Sequence, residues 1–190
     1  MKKRFILPAI IAVLICVLCS CSSDKYSKKA LCENLYSSYT ADCSFVISKD
    51  NFNISADALL TKDSFTSFSI HSPKEYSGIT ITGDNTGNAD TFCLELSDIP
   101  SNVDKSIASD LSLIFSLFSD EIPSMILTLD TDSFSTQNTA EEKYTVSFNQ
   151  NGMNYSVIYT SLGVPVTLKA GNDKTSVEVT LNSFTPSDQQ

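Results

Sequence analysis

The chain has 190 residues, of which 13 are basic and 22 are acidic, and its formal net charge at pH 7 is −9. Its only arginine is Arg4. An acidic surface almost free of arginine argues against nucleic acid as a partner, and against electrostatic attachment to anionic lipid head groups.

The first twenty residues resemble the signal peptide of a bacterial lipoprotein. Residues 2–4 are basic, and the apolar run that follows is shorter than the roughly 20 residues that a membrane-spanning helix needs. The run ends in Leu18-Cys19-Ser20-Cys21, which is similar to the lipobox, where a leucine three places before a cysteine is followed by two small residues. The resemblance implies that Cys21 is lipidated and becomes the mature N-terminus. An uncleaved N-terminal anchor and an ordinary signal peptide cut elsewhere are the alternatives.

The leader sets the expected domain organisation. We expect a lipoprotein signal peptide at 1–20, an acylated tether at 21–27 and one domain at 28–186. Two acyl chains hold a protein firmly, at about 0.8 kcal/mol per buried methylene. Residues 22–27 reach about 20 Å, at about 3.3–3.6 Å per residue. The domain should therefore stay close to the extracytoplasmic face of the cell membrane.

An N-terminal helix is predicted over residues 24–38, where apolar residues recur at helical spacing and Asp24 is a suitable N-cap. From Asp42 onwards the apolar period changes to two, which predicts strands with one apolar face. Asn151-Gly152 is a strong signal for a hairpin turn. About nine strands are predicted, at Cys43–Ile47, Phe52–Ala58, Phe68–Ile70, Ile79–Ile81, Phe92–Leu96, Tyr144–Phe148, Met153–Tyr159, Val164–Leu168 and Val177–Leu181.

A strongly apolar helical insert, Val103–Leu129, separates the two groups of strands. Residues 99–102 are expected to end the first group, and Ser101 with Asp104 resembles a capping box at the start of the insert. Residues 131–142 are polar, which is typical of a loop or a short edge strand. The pattern predicts an α+β fold: a curved antiparallel half-barrel of about nine or more strands, with the N-terminal helix and the insert covering its concave face.

Two segments resemble the LolA/LolB superfamily of lipoprotein carriers, which includes the LppX/LprG-type lipoproteins. Ile70-His71-Ser72-Pro73 followed by Gly78-Ile79-Thr80-Ile81 is similar to a strand-proline-connector-glycine-strand step of that group. Leu162-Gly163-Val164-Pro165-Val166 followed by Val177–Phe184 is similar to its closing hairpin. The resemblance implies a half-open barrel whose apolar cavity carries acyl chains.

The apolar residues of the insert and the sheet have two interpretations. In one, they line a lipid-binding cavity beneath a lid. In the other, they form a dry core, which a sheet of this size needs in any case. The candidate lining residues are Phe45, Ile54, Phe92, Phe115, Phe118, Met125, Ile126, Tyr155 and Val166.

The cysteines that follow Cys21 are odd in number: Cys32, Cys43 and Cys93. Export would permit a disulfide, and Cys32 and Cys43 are the nearest pair in sequence. Three buried, reduced thiols are the alternative, which we favour slightly. The cysteine spacing supports neither a zinc site nor a redox motif.

Catalytic signatures are missing from the sequence. His71 is the only histidine, its phase places it on the exposed face, and no nucleophile-elbow motif is present. We predict no enzyme activity, no cofactor and no metal site. The predicted function is a lipid-anchored extracytoplasmic protein that binds a lipid or acyl chain. The alternative is a structural or interaction lipoprotein with a filled core that binds another cell-envelope protein.

Overall fold

A computed structural model of the chain describes most of the predicted domain. Residues 1–26, which include Cys21, lie outside the described residues, as do Phe92 and residues 103–111. The described residues are 27–50, 52–85, 93–96, 99–102, 112–130, 133–137 and 143–187.

The described residues contain two helices and twelve strands. The helices are α1 (Lys28–Tyr36) and α2 (Glu121–Thr128), and residues 112–116 are also helical. The strands are β1 (Tyr39–Lys49), β2 (Phe52–Lys62), β3 (Phe65–Ser72), β4 (Ile79–Asp84), β5 (Cys93–Leu96), β6 (Ile99–Asn102), β7 (Phe134–Gln137), β8 (Lys143–Gln150), β9 (Met153–Tyr159), β10 (Pro165–Gly171), β11 (Thr175–Leu181) and β12 (Thr185–Pro186).

The strands form one antiparallel sheet in the order β6-β5-β4-β3-β2-β1-β11-β10-β9-β8-β7, with β12 also paired to β1. The order starts at β6 and finishes at β7, so the sheet is open. This architecture confirms the predicted α+β half-barrel. In the middle of the sheet the first strand, β1, pairs with the last long strand, β11. Their register places Phe45 opposite Val179.

The start of α1 differs from the prediction. Ser27 is the N-cap, and its hydroxyl accepts a hydrogen bond of 3.2 Å from the backbone N–H of Ala30. Asp24 was therefore the wrong cap, because Ser27 already accepts from the orphan N–H groups of the first turn. The helix buries Leu31, Cys32 and Leu35 against the sheet.

The predicted capping box at Ser101 is wrong, whereas the predicted start of the insert at Val103 lies outside the described residues. Residues 99–102 form β6, which pairs with β5 and places Ser101 opposite Leu94. Ser101 consequently lies in a strand and cannot cap a helix. Pro100 suits this position because β6 is an edge strand, where proline is tolerated. On the far side of the insert, residues 134–137 form β7, the short edge strand that was one of the two expectations there.

Two tight turns between neighbouring strands contain residues with positive φ angles. Asp50, between β1 and β2, has a φ of 50°. Asn151 and Gly152, between β8 and β9, have φ angles of 51° and 78°. Positive φ at both central residues is what a type I′ hairpin turn requires, and the prediction of a hairpin at Asn151-Gly152 is confirmed.

Turns gather at two opposite ends of the sheet. The end that carries the β2–β3 and β9–β10 turns, together with the start of β1, is called here the helix end, because α1 finishes there. The end with the β1–β2, β8–β9 and β10–β11 turns is called the hairpin end. Each end presents a different kind of surface.

Candidate functional site

A lid of two helices covers part of the sheet. Three polar contacts tie α1 to α2 along its length: the Lys28 ammonium donates to the Leu129 carbonyl, the Cys32 thiol donates to the Pro123 carbonyl over 3.3 Å, and the Tyr36 and Ser124 hydroxyls lie 2.7 Å apart. Pro123 sits in the first turn of α2, where its missing N–H leaves no hydrogen bond unmade. The helices therefore form one unit over the sheet.

A tightly packed aromatic cluster lies beneath the lid. The Phe68 ring on β3 meets Phe45, Phe115 and Phe118 edge-on, with centroid distances of 6.0, 5.5 and 5.5 Å. Edge-to-face geometry at this spacing is favourable for aromatic rings. Of the predicted lining residues, Phe45, Phe115, Phe118 and Ile126 all belong to this one buried core.

Directly paired residues continue the core across the sheet as what we call the buried row. It crosses six adjacent strands, and each member is at most 6 % exposed. Small and β-branched side chains lie beside the larger Phe45 and Leu168, so the covered face is filled along this line. The buried row consists of Ala56, Phe45, Val179, Leu168, Val157 and Val146.

Two residues nearer the hairpin end, a second row crosses the same six strands, and we call it the mouth row. Its central members, Val177 and Ala170, are buried, whereas its flanks are only half-buried. On one flank the Phe148 and Tyr155 rings stack at 5.2 Å with an interplanar angle of 12°. The mouth row consists of Ile54, Ile47, Val177, Ala170, Tyr155 and Phe148.

The predicted lining residues thus separate into several groups. Ile54 and Tyr155 belong to the mouth row, and Met125 is half-buried on α2, packed against the core. The prediction placed Val166 in phase with Leu168, which is wrong. The β9–β10 register shifts between Pro165 and Thr167, so Pro165 and Leu168 face the core while Val166 falls in the irregularity. Alternation alone does not reveal such a bulge.

Val166 instead lines a groove at the helix end of the sheet, which we call the end groove. Its volume is about 530 Å³. Among the described residues that line it, six are apolar and the one charged residue is Lys143. The apolar ones are Leu162, Val164, Pro165, Val166, Leu181 and Phe184.

A larger groove, of about 700 Å³, lies at the hairpin end across β8 to β11. Its polar side chains come from the uncovered face, where Ser156 pairs with Ser147 and with Lys169. Lys169 and Glu178 form an ion pair of 2.8 Å there, with both side chains nearly half exposed. Phe148, Tyr155, Ala170 and Val177 of the mouth row also line this groove, so it combines polar and apolar residues, and its ion pair is a surface pair of little energetic value.

The three described cysteines are free thiols, in line with the interpretation favoured from the sequence, and Cys32 and Cys43 do not form the possible disulfide. Cys32 points to Pro123, and Cys43 lies on the covered face of β1. Burial raises the pKa of the Cys32 thiol to about 11 and, as the largest cause, that of Cys43 to about 12. Both are therefore unreactive thiols of the core. Cys93 is half-buried, in contrast to the expectation of three buried thiols.

Lys62, at the end of β2, is a buried charged residue that was not predicted from the sequence. The residue is only 2 % exposed. Its ammonium donates to the Leu35 carbonyl near the end of α1, and it lies 3.4 Å from an Asp120 carboxylate oxygen. Burial lowers the pKa of Lys62, and the Asp120 carboxylate opposes that shift. The position of Lys62 at the end of an alternating strand does not indicate that the lid covers it at the helix end of the sheet.

The described residues also bear on the sequence expectations for a metal site and for His71. No group of three His, Cys, Asp or Glu side chains there is placed to hold a metal ion. His71 is exposed on β3, as its phase predicted. Within the same residues, no helix combines the length and the apolar character needed to cross a membrane.

No family model matches the chain, and no curated protein matches its sequence. Solved structures with a similar architecture include the two groups that the sequence resembles. The Mycobacterium tuberculosis lipoprotein LppX is 11% identical with a TM-score of 0.42, covering 84% of this chain and 97% of LppX. A LolA superfamily protein from Nitrosomonas europaea is 8% identical with a TM-score of 0.38, covering 85% and 94%. Both TM-scores are below 0.5, so the function of this chain has to be inferred from its own contacts.

Proposed function

We propose that the chain is a lipid-anchored extracytoplasmic protein that holds a hydrophobic ligand, a lipid or acyl chain, along the mouth row. The half-buried state of this row is the observation that carries the proposal. Ile54, Ile47, Tyr155 and Phe148 retain solvent contact, although they continue the covered face of the sheet. A filled half-barrel would cover these large side chains, as the lid covers the buried row.

The dimensions of the mouth row suit an extended ligand. Six strands at about 4.8 Å spacing span about 24 Å, so the row forms a long strip and not a compact pocket. Val177 and Ala170 are small and form its floor, while the stacked Phe148 and Tyr155 rings form one wall. A flexible apolar chain could lie across this strip, and its contact would be almost entirely with carbon.

The close aromatic packing beneath the lid favours a second candidate function. With Phe68 in contact with three other rings, the described part of the covered face beneath the helices is filled. A protein with a filled core would act through its polar outer face on another cell-envelope protein. The two candidates differ in whether a hydrophobic ligand binds at the mouth row.

Replacing Ile54 tests ligand binding with a matched neighbour as control. Ile54→Glu places a carboxylate on the mouth row, where an apolar ligand would have to desolvate it. We expect at least about tenfold weaker binding of a fluorescent fatty-acid probe, equivalent to about 1.4 kcal/mol. Ser55→Glu adds the same charge to the exposed residue next to it and should bind as the wild type does.

The outcome separates the two candidate functions. Weaker probe binding in Ile54→Glu alone, with native mass spectrometry showing a lipid-sized adduct on the wild type, supports the carrier. A wild-type protein that has no adduct after gentle extraction and does not bind the probe supports the interaction protein. Equal losses in both variants would mean that charge, not the mouth row, governs the probe.

Anchoring is tested separately at Cys21. In cells fed radioactive palmitate, Cys21→Ala should abolish labelling of the full-length protein, because no other residue is proposed to carry acyl chains. The same variant should retain the leader, residues 1–20, and run as a larger species on a gel. Persistent labelling of Cys21→Ala would contradict the proposed lipobox and with it the division into leader, tether and domain.

A further inference from the structure

The most exposed large apolar side chain in the described part of the molecule is Leu162, in the turn between β9 and β10. It is 80 % exposed, and Gly163 next to it has a φ of 76°, which the turn requires. The Thr160 hydroxyl accepts hydrogen bonds from the backbone N–H groups of Leu162 and Val164, both at 3.2 Å. The turn is thus internally braced, and it holds Leu162 out into solvent.

Leu162 is one of the six apolar residues that line the end groove, which also includes Thr160, Ser161, Asn182 and Ser183. Val164, Val166 and Phe184 line the same groove, and Phe184 is fixed by a ring contact of 4.6 Å with the buried Tyr39. An apolar tip that is contiguous with an apolar groove is a larger patch than a single exposed leucine, and such patches mark interaction surfaces.

The charge of the end groove is opposite to that of the chain. The whole chain has 22 acidic side chains and a net charge of −9, yet no carboxylate is among the described residues that line the groove. Its one charged residue is Lys143. The Asp42 carboxylate lies beside the groove, where it accepts a hydrogen bond of 3.3 Å from the Ser183 hydroxyl. A groove with six apolar lining residues and one lining cation fits a phospholipid layer, where acyl chains contact the leucine and a phosphate faces the ammonium.

The position of α1 brings this surface within reach of the anchor. The Asn34 side-chain amide donates to the Gly163 carbonyl over 2.9 Å, so the Leu162 turn lies beside the seventh residue of the helix. From Ser27 to Asn34 the helix rises about 10 Å. Residues 22–27 add at most about 20 Å. A chain anchored at Cys21 therefore holds the end groove within about 30 Å of the bilayer.

From these observations we infer that the end groove docks on the surface of the membrane that anchors the protein. Leu162 enters the acyl region, and Lys143 meets lipid phosphates. Docking on the helix end leaves the mouth row, at the hairpin end, facing away from the bilayer. Attachment through Leu162 and apolar area needs no anionic lipid, which agrees with the acidic character of the rest of the chain.

The absence of tryptophan from the chain makes a direct test available. Leu162→Trp introduces one fluorophore at the tip of the end groove. Tyr76→Trp introduces one at a matched position in the connector between β3 and β4, 44 % exposed and at the hairpin end. Each full-length protein, extracted from bacterial membranes in mild detergent, is reconstituted into phosphatidylcholine vesicles with or without brominated acyl chains.

We expect the emission of Leu162→Trp to shift to shorter wavelength on reconstitution and to lose most of its intensity in the brominated vesicles. Tyr76→Trp should show neither change. Unquenched emission from Leu162→Trp overturns the inference, as does equal quenching of both variants, which would mean that the domain lies on the bilayer without a preferred face. The readout depends on the end groove alone, so it is independent of whether the mouth row binds a ligand.

Discussion

Phe68→Ala should lower the free energy of unfolding by about 3–5 kcal/mol, the range for removing a fully buried phenylalanine. Phe68 is 1 % exposed, and its ring contacts Phe45 from the sheet and both Phe115 and Phe118 from the insert. Its removal would leave a cavity between the sheet and the insert, because rings from both elements would have to move to fill it. Urea unfolding followed by circular dichroism measures the change.

Phe65→Ala is the matched control for this substitution. Phe65 lies in the same strand, β3, but is 59 % exposed at the β2–β3 turn. Its truncation removes little buried area, so the free energy of unfolding should change by no more than about 0.5 kcal/mol. If Phe68→Ala lost no more stability than Phe65→Ala, the space beneath the lid would have to be loosely packed, and the filled core would be wrong.

The contrast between Phe65 and Phe68 shows why so much of the sheet could be predicted. Alternation assigns Phe68 and Ile70 to one face, and both are buried there. Phe65 is out of phase with them, and it is exposed. A period of two is a direct consequence of strand geometry, so a sequence that obeys it reveals which side chains share a face without any knowledge of partners.

Pairing could not be predicted from the same pattern. Ile47 and Val177 lie opposite each other although 130 positions separate them in sequence. Only the pairing of β1 with β11 brings them together. The mouth row exists because six strands align in one register. The sequence predicted that these residues are apolar and face inward, but not that they form a strip at one end.

Local exceptions to the period account for the remaining errors. Val166 was misplaced because one irregularity in β10 reverses the phase of everything before it. Residues 99–102 were taken as the end of a meander because a proline in an apolar run suggests a stop, whereas an edge strand has free N–H positions and accepts Pro100. The first error comes from a register shift in β10 and the second from the edge position of β6. The alternation of apolar residues reveals neither.

Lys62→Ala should also destabilise the protein strongly, by about 2–4 kcal/mol, because it removes a buried side chain and leaves the Leu35 carbonyl without its donor. Lys62→Met should cost less, since the methionine keeps most of the packed stem. The comparison measures what the charge contributes. The Lys62 ammonium contacts the Leu35 carbonyl and the exposed Asp120 carboxylate, and these contacts compensate only part of the free energy of removing the charge from water. Burial therefore lowers the pKa of Lys62.

The pH dependence of stability follows from the sign of that shift. Below the lowered pKa, Lys62 is protonated in both the folded and the unfolded chain, and the penalty for burying its charge is complete. As the pH rises through the lowered pKa towards the unperturbed value of 10.5, the folded amine loses its proton first and the penalty disappears. The wild type should therefore gain stability relative to Lys62→Met across this alkaline range.

Urea unfolding of both proteins, from neutral pH to about pH 10, tests this expectation by the difference between their unfolding free energies. Burial raises the pKa of Tyr39, Tyr159 and Cys32, but these groups are common to both proteins, so their titration cancels in the difference. Lys169→Met, which removes an exposed lysine from the surface pair with Glu178, controls for the loss of one positive charge. The wild type should not gain stability in the same way relative to Lys169→Met. If it gains stability equally relative to Lys169→Met and to Lys62→Met as the pH rises, net charge and not the burial of Lys62 determines the pH dependence.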